Sequence, residues 1–234
     1  MHISERWVGR GSERRASTRT PVGGVSPDAY LRLMSAILAV VLVLNLVAIY
    51  GFHTSDAYRV RRLARLFLLD AESNFATLFN FSLIAVNAAL LGLIGLAAFD
   101  ERDHWRWHWT ILGLLFLLLA YDEAASLHER LMPIGRALVP GEGLLFFTWV
   151  IFGAAFVLVV VLAYLRFVLA LPRRTGTLVV LAGALYVGGA LGVELWGGHF
   201  ASANGMDNIG FQLISTVEQS MKSAPGRAAG TASA

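Results

Sequence analysis

The chain has 234 residues, 56% of them hydrophobic and only 15% Asp, Glu, Lys or Arg, with a net charge of +3. Soluble domains carry roughly 25% charged residues, so this composition is poor in charge for a protein wetted on all sides. Cysteine is absent, which excludes disulfides, thiolate nucleophiles, zinc–thiolate sites, iron–sulfur clusters and covalent haem attachment.

Residues 1–30 are rich in Arg, Ser, Gly and Thr, too polar to build a core, and read as a disordered basic tail. A basic segment beside a first apolar block fits a cytoplasmic tail near anionic lipid better than a nucleic-acid arm, so no nucleic-acid partner is expected. No small-x-small cleavage site clearly follows that block, which therefore reads as a retained span rather than a signal peptide.

Four uncharged apolar blocks follow, at 33–52, 77–99, 144–165 and 175–193. About 20 residues at 1.5 Å each cross a hydrocarbon core of about 30 Å, and each block comes close to that length. One such block could be buried in a soluble core; four cannot be hidden in so short a chain. The expected fold is an all-α membrane protein, a polytopic bundle of about five spans near 31–52, 77–99, 109–130, 144–166 and 175–197. Together they form a domain over 31–223, followed by a disordered tail, 224–234.

Between the spans, 58–69 carries Arg59, Arg61, Arg62 and Arg65 and suits an interfacial helix. Trp105, Trp107 and Trp109, with the aromatic run 146–149, suit an aromatic belt. Placing the N-terminus inside sets 11 basic residues inside against 8 outside, a slight positive-inside bias toward an inner-membrane, multi-pass topology. Apolar residues at 211, 214, 217 and 221 predict a final helix, either interfacial or the opening of an incomplete sixth span. Gly188 and Gly192, with Ala184 before them, form a small-residue pattern suited to close helix packing.

The stretch "LLLAYDEAASLHERL" (117–131) sets charge against an apolar run too short to cross. To span, the third helix must continue through Asp122, Glu123, His128 and Glu129, carrying ionisable groups inside the hydrocarbon layer. On an unbroken helix, Asp122, Ser126 and Glu129 share a stripe, Glu123 and Arg130 share another, and His128 points elsewhere. The third and fifth spans run in the same direction, so Glu194 and His199 are expected near Asp122 and Glu129. Asp70, Glu72, Asn74 and Glu218 belong to the same membrane face. Acids with imidazole on one face suit a divalent cation of the Fe, Mn or Zn kind, or a proton. The candidate metal ligands are Asp122, Glu129, Glu194, His128 and Glu218. No catalytic residue can be assigned: "HERLM" lacks the second histidine of H-E-x-x-H, and no P-loop, G-x-S-x-G or Rossmann fingerprint is present.

At "LLLAYDEAASLHERL", "GALGVELWGG" and "ISTVEQSM" the chain resembles a group of uncharacterised bacterial multi-pass membrane proteins. They carry a D-E-x-x-x-x-H-E helix, a small-residue helix ending in V-E, and a final helix opening T-V-E-E. The resemblance implies that Asp122, Glu123, His128, Glu129, Glu194 and Glu218 form one constellation, with Gln219 standing where the pattern has a second acid. Three expectations follow. One is an inner-membrane protein with a carboxylate/His cation site near one face, able, if an enzyme, to act on a lipid-like substrate. The others are a proton-coupled transporter or permeation subunit, and an accessory subunit of a membrane complex. Membrane lipid, other membrane proteins or a second copy of the chain are the expected partners.

Overall fold

The structure is a computed structural model and describes residues 27–69 and 74–223. The expectations for the two tails, and for Asp70 and Glu72, fall outside those residues.

Helices form wherever the apolar blocks run without proline, and among the described residues there is no strand. α1 covers Pro27–Thr54 and α2 Tyr58–Ala64. α3 (Phe75–Asp100) and α4 (Arg106–Ala125) make a tight antiparallel hairpin. A short α5 (Met132–Leu138), with Pro133 in its first turn, leads to α6 (Val150–Ala170). Pro172 ends the turn after α6 and starts α7, Arg173–Val187. A π-helical turn, Gly188–Val193, carries α7 straight on into α8, Glu194–Asn204. The last helix, α9, is Ile209–Lys222, opened by the Asn208 side chain accepting from the Phe211 N–H at 2.9 Å. Such a cap satisfies one of the free N–H groups of a helix start.

Five of these segments are long and apolar enough to cross a membrane: α1, α3, α4, α6 and the continuous α7–α8 rod of 32 residues. They alternate in direction, so α1, α4 and α8 end at the face where α3, α6 and α9 begin. In the α3–α4 hairpin a Cβ on Gly113 would lie 3.2 Å from the Gly92 nitrogen, tighter than an ordinary contact, so glycine there helps the backbones approach closely. At the opposite face Phe167, with no exposed surface, is ringed by Trp105, His108, Trp109 and Tyr164.

Burial runs against the soluble pattern. Leu96, Leu162 and Leu169 are 65%, 64% and 76% exposed, whereas Asn45, Asn80, Thr148 and Gln212 are 4% exposed or less. Apolar residues face outward and amides face inward.

Two expected boundaries and one packing face change. α4 stops at Ala125 instead of running to 130, because Ser126 takes a left-handed conformation, φ 48°, which breaks the helical ladder. It still reaches 20 residues by starting at Arg106. The fourth span begins at Val150, since Gly143–Leu145 forms a separate 3-10 turn. The Gly188/Gly192 face is also redrawn. The π turn shifts the register, so Gly188 and Gly189 face Met221 of α9 while a Cβ on Gly192 would meet nothing within 4 Å.

Candidate functional site

Broken at Ser126, the chain doubles back on α4. The His128 N–H donates to Asp122 Oδ1 at 2.8 Å, and its Nδ1 lies 3.0 Å from Asp122 Oδ2. On an unbroken helix these side chains diverge; the left-handed residue is what brings them together. About a quarter of each side chain is exposed. Burial alone would lower the His128 pKa, but the hydrogen bond and charge of Asp122, with Glu129 adding to them, raise it above the ordinary histidine value. Glu129 itself is exposed on the 3-10 turn Glu129–Leu131 and no longer shares a stripe with Asp122.

The His128 ring sits 4.7 Å from the ring of Trp149, just before α6. Trp149 Nε1 donates to Glu194 Oε1 at 3.2 Å, so this tryptophan belongs to the polar site as well as to the aromatic run in which it was expected. Glu194 in turn faces the carboxyl of Glu218 on α9. Two neighbouring carboxylates repel while both are ionised, and they can bond to each other only when one carries a proton.

On the other side of Glu218 lies Lys222. Its Nζ is 3.4 Å from Glu218 Oε1 and 3.4 Å from Glu123 Oε2, and the three side chains are 14%, 11% and 9% exposed in the order Glu218, Lys222, Glu123. Glu123 is thus paired with Lys222 rather than with Arg130. The other Glu123 oxygen accepts from Asn80 Nδ2 at 3.1 Å, and the same amide donates to Gln219 Oε1 at 2.6 Å. Ser223 closes the set by donating to Asn80 Oδ1. The amide at position 219, an acid in the resembling pattern, therefore still serves as an acceptor for Asn80.

Two further bonds anchor α9 along α1: Asn45 Nδ2 donates to Thr216 Oγ1 at 2.8 Å, and His53 Nε2 meets Gln212 Oε1 at 2.9 Å. Asn87 turns to its own helix and donates to the Leu83 carbonyl at 2.8 Å. His199 is exposed on α8, beside Trp196, and away from Asp122.

The five candidate ligands thus divide. Asp122 and His128 make one pair, Glu194 and Glu218 another, and Glu129 stands exposed. Among the described residues no group of three or more His, Cys, Asp and Glu side chains is arranged to hold a metal ion. Lys222, the last residue of α9, falls in no sequence motif. The one available signal was its spacing, four residues after Glu218, which places both on one helix face.

These features define the class: an all-α bundle of apolar-faced helices around a polar seam where α9 is inserted. The chain belongs to the family of the domain of unknown function DUF8692, whose model matches residues 34–226. No curated protein and no solved structure matches it.

Proposed function

We propose that the chain is a multi-pass protein of the inner membrane and that the seam around α9 is a proton-active site, as in a proton-coupled transporter or permeation subunit. The observation that carries this reading is the inside-out character of α9. Of its apolar residues, Ile209, Leu213 and Val217 are 48%, 44% and 53% exposed, while the polar Gln212, Ser215 and Lys222 point inward beside Phe211. A helix built this way is stable only where its outer face meets lipid or other apolar surface. Inside, Glu123, Glu194 and Glu218 stand against one ammonium, so the surplus acid must be neutralised by a proton or a cation. Ionisable side chains at such a depth are costly to bury and mark ion or proton pathways.

A divalent cation at the same acids would have to displace Lys222, whose ammonium already lies between Glu123 and Glu218. Reconstitution in liposomes under a pH gradient tests the proposal. The wild type should dissipate the gradient, with Glu194→Gln and Glu218→Gln each slowing it at least about tenfold, a barrier change of about 1.4 kcal/mol. Equal rates in all three would remove the proton reading. A full equivalent of Fe, Mn or Zn in the purified protein would favour the metal one instead.

A further inference from the structure

α1 packs chiefly on α2 and α9. Between α1 and α3 lies a groove of about 400 Å³. Ile37, Val41 and Leu44 form one wall; Leu78 and Phe79 form the other, and Phe67 lies over one end. Phe67 stacks on Phe75 at 5.2 Å, which makes that end a flat aromatic cover. The one polar lining group, the Ser82 hydroxyl, is spent on the Leu78 carbonyl at 2.7 Å. Nothing in the groove can orient a polar molecule, and its shape and lining suit a hydrocarbon chain.

The covered end lies at the same face as α2. Phe52 and Phe67 pack on one apolar cluster, Ala48, Ile49, Ala64 and Leu68. The Arg61 and Arg65 guanidinium groups each sit 5.7 Å over the Phe52 ring. Arg61 is already paired with Asp56 at 3.1 Å. Arg59, Arg62 and Arg65 are exposed on the same short stretch. Cationic side chains at the end of a hydrocarbon-lined groove, at the level where membrane helices end, match the phosphate of a lipid.

We propose that the α1–α3 groove holds an acyl chain of an anionic phospholipid, with its headgroup held by Arg62 of α2 and Arg65 just after it. This rests on the membrane part of the proposed function but not on proton movement. The lipid also serves the fold, filling the space between α1 and α3.

The test is native mass spectrometry of the full chain in mild detergent, with phosphatidylglycerol or phosphatidylcholine added. The wild type should keep one phosphatidylglycerol through delipidating washes and should not keep phosphatidylcholine. Ser82→Trp and Leu44→Trp, which fill the groove from opposite walls, should each abolish retention while helix content by circular dichroism is unchanged. Arg62→Glu with Arg65→Glu should weaken it by about tenfold or more. Retention surviving both tryptophan variants, or equal retention of the two lipids by the wild type, would overturn the assignment. Fractionating the same cells keeps the two failures apart. A chain missing from the membrane fraction defeats the membrane reading; a membrane-bound chain that keeps no lipid defeats only this one.

Discussion

At the residue scale, the behaviour of Lys222 follows from its surroundings. Removing one partner of a buried ion pair leaves the other charge unpaired and costs about 3–5 kcal/mol. Lys222→Met should therefore destabilise the protein by that order, read as a lower melting temperature in detergent. Adding Glu123→Gln and Glu218→Gln should recover much of the loss, since neutral amides need no counter-charge. Were Lys222→Met no less stable than the wild type, the ammonium would not be compensating these acids. His128 gives a second prediction, with its sign set by the raised pKa. Its bond to Asp122 contributes fully below the unfolded pKa of about 6.5 and is lost as pH rises through the higher folded value. The groups around it are Asp122, Glu129 and Lys222, with the Trp149 ring in contact. In ¹⁵N-histidine NMR, His128 should titrate above the ordinary value in the wild type and lower in Asp122→Asn.

At the element scale, two local devices decide where helices go. The left-handed Ser126, at φ 48°, ends α4 and folds His128 back. A β-branched residue tolerates that region poorly, at about 1–2 kcal/mol, whereas glycine adopts it freely. Ser126→Val should cost about that much and release His128 from Asp122, while Ser126→Gly should leave the NMR titration of His128 intact. The second device is the π turn, Gly188–Val193. At Gly189 a Cβ would lie 3.0 Å from both the Glu218 carbonyl oxygen and Met221 Cβ, so α9 seats against bare backbone there. Gly189→Val should push α9 outward and cost about 1–3 kcal/mol by overpacking. A cysteine pair replacing Asn45 and Thr216 should then cross-link more slowly than in the otherwise unchanged chain. An unaltered rate would mean that α9 does not depend on that contact.

At the scale of the whole molecule, charge placement makes a topological prediction. The alternating helices place the α2 segment and the α4–α6 connection on one face, and the α3–α4 turn on the other. Reporter groups inserted after Asp56 and after Glu142 should report the same side of the membrane, and one after Asp103 the opposite side. A common side for all three would rule out the alternation. The arginine bias sets the N-terminal side as inside, though only by 11 to 8.

Much of the architecture was legible because it is a local property. Whether about 20 consecutive residues can cross a hydrocarbon layer depends on those residues alone, so the existence and order of the long apolar helices could be read from the chain, though not their ends. That Asp122, Glu194 and Glu218 would need partners was legible for a related reason: ionisable groups in apolar helices are costly to leave unpaired. The partners themselves could not be read. Two decisions turn on backbone geometry that no periodicity reveals, the single left-handed residue that joins His128 to Asp122 and the π turn that sets Gly189 against α9. A third, the pairing of Lys222 with Glu123, joins residues nearly a hundred positions apart. By itself the sequence determined a charge-poor, all-helical chain with five apolar helices long enough to cross a membrane. Only the tertiary structure decided that the last, polar-faced helix turns inward, because its amides, acids and lysine find partners on α1, α3, α4 and α8 that are brought to the same place.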